Sequence, residues 1–226
     1  MANNSIDLFG DFKPVSINSS MKFPLILVLD VSGSMTQKTP YGRKTKISEL
    51  NEKVSMLLEY VKADPKASQI TDLAIVTFGG EVKVQAPFDS VTNISFKPVR
   101  AYSSTPMGSA VNVALDMINR RKQYYRENGM EFYRPRIFLM SDGAATDSYA
   151  SAAKRCSEMV NNREVKMYPI WIGEGEYDYI LRDFSPELAP KTIKSDQMYF
   201  EMFRSLSGST SNPDDDPFDR WFKDEF

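Results

Sequence analysis

The sequence predicts an α/β fold whose central sheet is mainly parallel, with one antiparallel edge strand and helices on both faces. Three observations carry that prediction. Largely apolar runs occur at residues 25–29, 73–78 and 136–140; lacking period-2 alternation, they read as strands covered on both faces, as in parallel sheets. Segments with apolar residues at helical spacing alternate with these runs. One pair of strands is joined by Gly79-Gly80, and its second strand alternates Val82, Val84, Ala86 and Phe88 with polar residues, as a half-exposed edge hairpin does.

Taken in order, residues 1–21 are polar and irregular, with Leu8, Phe9 and Phe12 as anchors, and read as a loosely held arm. The first strand covers about 23–29. A basic loop at 36–45, carrying Pro40 and Gly42, is expected to be exposed. A helix follows over about 46–63, with Ile47, Leu50, Val54, Leu57, Leu58 and Val61 on one face, and Asp64-Pro65 ends it. After the hairpin, residues 89–104 form a long connection to S-S-T-P-M-G. Threonine before proline reads as a helix start, with Thr105 at the N-cap and Pro106 in the first turn. That helix runs to about 127, with Met107, Val111, Ala114, Ile118 and Tyr125 facing inward, and Asn128-Gly129 stops it.

The run at 136–140 ends in Ser141-Asp142-Gly143, much as the first run ends in Asp30. A helix is expected at about 149–161 and a strand at 165–172, whose Pro169 demands a bulge or a position without ladder donors. A short helix near 177–184, a short strand at 192–194 and a helix at 197–205 complete the pattern. The domain is thus assigned to 22–207. The tail at 208–226 places six acids within its last fourteen residues, interleaved with Phe218, Trp221, Phe222 and Phe226. It reads either as a frayed end or as a docking segment for a partner or for the chain's own domain.

Composition narrows the function. The chain has 226 residues, 42% hydrophobic and 26% charged, which is ordinary for a globular domain. Its 28 basic and 30 acidic residues leave a net charge of −2, unlike the strongly basic face of a nucleic-acid binder. Cys156 is the one cysteine and reads as a small core residue. Histidine is absent, which removes Ser-His-Asp and Cys-His catalysis and His-ligated zinc. No signal peptide and no run of about 20 apolar residues for a membrane span is evident. The cytosol is the expected compartment.

The chemistry concentrates at the strand ends. Asp30 is followed by Ser32 and Ser34, and Ser141-Asp142 closes another strand. Strands that are neighbours in a parallel sheet lie about 4.8 Å apart, and about twice that with one strand between. Either arrangement brings both carboxylates to one edge, with Thr105 as a third hydroxyl from the facing loop. Oxygen ligands gathered at the carboxyl ends of strands suit a hard cation. Each residue also has a purely structural role available. Asp142-Gly143 makes an ordinary turn, Ser32 and Ser34 are good caps, and Thr105 is a good N-cap.

The motifs D-V-S-G-S at 30–34, the threonine of S-S-T-P-M-G and the aspartate of S-D-G resemble the metal-ion-dependent adhesion site of von Willebrand factor A (VWA) domains. Within that superfamily the chain resembles the bacterial TerY-like branch found in tellurium-resistance and stress clusters. The shared features are D-x-S-G-S-M, I-x-x-L-N in the first helix, T-P-M-G, R-P-x-I-F-L-M-S-D-G and F-x-x-L-S-x-S. The resemblance spans about 22–211 and implies an open Rossmann-like sheet with Mg²⁺ or Mn²⁺ at its top. It assigns Asp30, Ser32, Ser34, Thr105 and Asp142 as the metal residues. Two departures are Ser103 and Ser104, where relatives often have glycines, and the long basic loop at 36–45.

The function this implies is a non-catalytic module that grips an Asp or Glu of a partner protein through the ion. TerY-like relatives are associated with serine/threonine kinase and phosphatase partners, so a stress-response or phospho-signalling assembly is the expected setting. The rival reading is a Mg²⁺-dependent phosphohydrolase of the haloacid-dehalogenase type. That chemistry requires a second aspartate two residues after the first, as general acid, and Ser32 stands there instead. Self-association, with the acidic tail placed on a neighbour's metal, is a third reading that shares the same site.

Overall fold

The computed structural model describes residues 21–39, 44–172, 178–192 and 222. The arm at 1–20, residues 40–43 of the basic loop, the expected helix at 197–205 and the tail apart from Phe222 lie outside the described residues. A six-stranded sheet forms the centre, in the order β3-β2-β1-β4-β5-β6. Its strands are β1 (Phe23–Asp30), β2 (Thr71–Gly79), β3 (Glu81–Ser90), β4 (Arg136–Ser141), β5 (Lys166–Trp171) and β6 (Lys191–Thr192). All pairs are parallel except β2–β3, the hairpin that ends the sheet. The expected fold class is therefore the observed one.

Burial follows the pattern that predicted it. Every residue of β1, β2, β4 and β5 is buried, whereas β3 is largely exposed. Side chains of β1 alternate between two layers. Leu25, Leu27 and Leu29 pack with α1 (Lys46–Ala63) and α2 (Pro65–Ile70). Ile26 and Val28 face α3 (Met107–Glu127) and α4 (Ala150–Asn161), with α5 (Asp178–Phe184) beside them. Cys156 lies fully buried in this second layer, where burial pushes its thiol up to about 12, consistent with a packing role.

Of three local expectations, the Thr105 cap is corrected and the other two are refined. Helix α1 does end before Pro65, but the chain enters a further short helix at once. Asp64 caps it by accepting from Lys66 N and Ala67 N, with Pro65 in the first turn. Thr105 is not the N-cap of α3: that position falls to Pro106, and no side chain at it caps the helix. Pro169 causes no bulge against β4. The β4–β5 register runs through it unbroken, and pairing with β6 starts only at Ile170.

On the α1 side of the sheet, Phe222 joins the buried cluster that covers β4 and β5. Its ring stands 5.3 Å from that of Tyr168, edge to face, and Tyr168 in turn lies 5.3 Å from Phe138. Phe222 is 5% exposed, so at this one residue the tail is seated on the chain's own core. No helix among the described residues is long and apolar enough to cross a membrane.

Candidate metal centre

Strands β1 and β4 are direct neighbours, with Leu29 opposite Met140, so the residues that follow them emerge side by side. Asp30 is wholly buried. Its Oδ1 accepts from the Ser32 N–H at 2.7 Å and its Oδ2 from the Ser141 hydroxyl. The chain then enters a single 3-10 turn, Gly33–Thr36, which turns the Ser32 and Ser34 hydroxyls to within 3.0 Å of each other. Ser34 Oγ donates to Asp142 Oδ1 at 2.6 Å across the two strand ends. Asp142 Oδ2 accepts from Lys46 Nζ, also at 2.6 Å. A continuous polar chain thus runs from Ser32 through Ser34 and Asp142 to Lys46.

Thr105 arrives from the facing loop. Its N–H donates to Thr146 Oγ1 and its carbonyl accepts from the Thr146 N–H, both at 2.9 Å, which fixes the loop against the segment after β4. One residue later in that segment, Asp147 takes over the capping that Thr105 does not perform. Its carboxylate accepts from Gly108 N, Ser109 N and Ser109 Oγ. Gly108 is required for this approach, since a Cβ there would lie 2.6 Å from Tyr149 Cα. Gly33 N donates to Ser103 O at 2.9 Å and closes the ring of loops. Ser103 holds φ at +60°, a left-handed conformation that is strained for serine and easy for glycine.

All five residues picked from the sequence therefore meet at one edge of the sheet. A Cβ built on Gly143 would stand 3.3 Å from Ser34 Oγ and 3.9 Å from Thr105 Oγ1. The absence of that carbon leaves a small space bordered by hydroxyls from two different loops. Lys46, Thr146 and Asp147 are contributors that the sequence reading leaves out, and Ser141 enters it only as part of the strand-ending Ser141-Asp142-Gly143. Only Lys46 left a legible signal, because a lysine in the first turn of a helix opposes the helix dipole.

The electrostatics of the two carboxylates differ. Burial pushes the Asp30 carboxyl up from 3.8 to about 6, against the lowering effect of the Ser141 and Ser32 hydrogen bonds, and nearby Asp142 pushes the same way. Asp142 has an ammonium at contact distance; Asp30 has hydroxyl and N–H donors. The donor set fits a hard divalent cation: neutral hydroxyl oxygens and two carboxylates suit Mg²⁺ or Mn²⁺. Among the described residues no group of three or more His, Cys, Asp or Glu side chains is placed to hold a metal ion. An ion here would rest on hydroxyls beside two carboxylates.

A mostly parallel open sheet with an oxygen cluster at its carboxyl edge defines a Rossmann-like α/β domain whose site is assembled from strand ends. The family model for the von Willebrand factor type A domain matches residues 25–144, and the chain belongs to that family. VWA domains are in general protein-interaction modules, often metal-dependent ones.

The fold is shared with solved structures of low identity. The protein BatB from Bacteroides thetaiotaomicron is 16% identical, with a TM-score of 0.54 over 82% of this chain and 98% of that one. The manganese-loaded TRAP protein of Plasmodium vivax is 16% identical, with a TM-score of 0.55 over 80% of this chain and 72% of that one. The D319A variant of the PilB minor pilin from Streptococcus sanguinis is 12% identical, with a TM-score of 0.61 over 92% of this chain and 64% of that one. At such identities the likeness is one of fold. No curated protein matches the sequence.

Proposed function

We propose that this chain is a non-catalytic, metal-dependent protein-interaction module of the adhesion-site type, in which a partner's Asp or Glu completes the coordination of Mg²⁺ or Mn²⁺. One observation carries the reading: Asp30, Ser32, Ser34, Thr105 and Asp142, from three separate segments, converge on the carboxyl edge of β1 and β4. These five residues would hold the ion. When bound, it supplies a Lewis-acidic seat for a carboxylate. The manganese in the Plasmodium TRAP structure makes Mn²⁺ a reasonable ion to test beside Mg²⁺.

The chain's own residues supply the rest. Ser141 and the Ser32 N–H orient the Asp30 carboxylate, Thr146 positions Thr105, and Asp147 anchors the start of α3 beneath them. Hydroxyl donors neutralise little of a divalent charge, so an anionic visitor remains attractive. Ser32, where a phosphohydrolase needs its general acid, hydrogen-bonds Ser34 instead. The motifs further favour a TerY-like setting in the cytoplasm, a stress-response or phospho-signalling assembly with a serine/threonine kinase or phosphatase as partner.

Metal titration followed by calorimetry, paired with affinity capture from extract with and without EDTA, tests the proposal. Mg²⁺ or Mn²⁺ should bind the wild type and fail to bind Asp30→Ala or Ser32→Ala, and captured partners should be released by EDTA. The same partners retained in EDTA would reject the metal bridge. Phosphate-ester turnover lost in Asp30→Asn would favour the enzyme.

A further inference from the structure

Lys46 is the first residue of an 18-residue helix, and its side chain is 11% exposed. Nothing about helix stability asks for a cation there. The N-terminal end of a helix carries a partial positive charge and favours acids. Burying an ammonium is costly unless it is paired. The Lys46 ammonium does find a pair, in the fully buried Asp142 side chain, and it also lies 3.5 Å from Gln37 Oε1. A residue that breaks a local rule at a site points to a role in that site.

We propose that Lys46 is a built-in competing cation: it holds Asp142 in the metal-free protein and weakens the site's affinity for divalent metal. The inference rests on the metal-site reading above and names how that site is regulated. Both oxygens of Asp142 are engaged, Oδ1 by Ser34 and Oδ2 by Lys46. An incoming ion therefore meets one carboxylate already neutralised and a like charge beside it, and like charges in a poorly solvated setting repel strongly. With Asp30 left as the uncompensated carboxylate, the site captures metal weakly by itself. The extra positive charge adds to the attraction for an acidic partner group, so the anion of the partner becomes part of what retains the ion.

The test uses the full chain, stripped with chelator, as wild type, Lys46→Met, Lys46→Arg and Asp142→Ala. Lys44→Met serves as a control for the loss of a nearby exposed charge. Mn²⁺ binding is measured by calorimetry, and melting midpoints are recorded in chelator and in saturating Mn²⁺. Lys46→Met should bind Mn²⁺ at least tenfold more tightly than wild type. Its midpoint should fall in chelator yet rise further on adding Mn²⁺, while Lys46→Arg and Lys44→Met track the wild type. A merely structural lysine would lower both midpoints equally, and that result, or equal or weaker Mn²⁺ binding, overturns the proposal. Lys46→Gln gives the same readout should the methionine variant fail to fold. Wild type that binds Mn²⁺, and loses it in Asp142→Ala, preserves the metal site even if the Lys46 inference fails. Absence of Mn²⁺ binding in every variant removes both.

Discussion

Two aspartates lie almost without exposure at opposite ends of the same sheet, and their surroundings differ in what meets them. Asp72, near the start of β2, accepts from Tyr125 Oη at 2.6 Å and from the Arg121 guanidinium, with Lys22 Nζ 3.7 Å away. Arg121 is itself held between rings, 4.7 Å from the centroid of Tyr124 and 5.0 Å from that of Tyr125. Asp30, at the end of β1, is met by the Ser32 backbone N–H and by the hydroxyls of Ser141 and Ser32. The first is a finished ion pair that locks β2 to α3. The second is a buried carboxylate left short of positive charge, which is why its proton is held up to about 6. A buried acid with its cation supplied is architecture; a buried acid without one is a place for a cation.

The largest expected effect breaks the finished end. Asp72→Ala leaves Arg121 and Tyr125 without their acceptor and should cost about 3–5 kcal/mol in urea unfolding, the range for breaking a buried pair. Asp30→Ala should cost less than half as much in chelator, because no buried cation is orphaned. Equal losses at the two positions would erase the contrast.

Packing alone provides a yardstick remote from both ends. Phe222→Ala, which removes the ring set against Tyr168, should cost about 3 kcal/mol. The same variant should leave the metal-induced shift unchanged. A loss below about 1 kcal/mol would return the tail to the status of a frayed end.

Supplying the missing cation is the third test. Mg²⁺ or Mn²⁺ at ten times its dissociation constant should stabilise the wild type by about 1.4 kcal/mol. For a chain of this size that is a rise of about 3–6 °C in Tm. Asp72→Ala should keep the rise and Asp30→Ala should lose it; the reverse pattern would move the ion to the other end of the sheet.

The smallest effect is a pH dependence with a definite sign. Because the folded state holds the Asp30 proton more tightly than the unfolded chain does, the associated stability is full below 3.8 and is lost as pH rises through about 6. Metal-free wild type should therefore gain on Asp30→Asn as pH falls from 7.5 to 5.5, read as the difference in their melting midpoints. Over the same interval the Mn²⁺-induced shift should shrink, since protons compete for the carboxylate. A flat difference across that range would show that burial does not hold the Asp30 proton.

Much of this is legible in the sequence alone. The buried strands announced themselves because burial on both faces leaves no alternation, and α1 because Leu50, Val54, Leu57 and Val61 recur at the helical period. The hydroxyls Ser32 and Ser34 were readable as a pair because they sit two residues apart in one loop. The Thr105 cap fails for a reason of the opposite kind. Threonine before proline is a good local start signal, but Asp147 reaches Gly108 and Ser109 from 39 and 38 residues away and supplies the cap instead.

The sequence by itself determined the type of each main element, the edge position of the Gly79-Gly80 hairpin and the chemistry of the five candidate ligands, because period, burial and donor type are properties of short stretches. Only the tertiary structure decided that β1 and β4 are adjacent, that Ser34 touches Asp142 across 108 residues, and that Lys46 reaches the same carboxylate across 96. It also decided that Phe222 seats on Tyr168. Such contacts depend on strand order and on how long segments close upon each other, and no local pattern of side chains encodes that geometry.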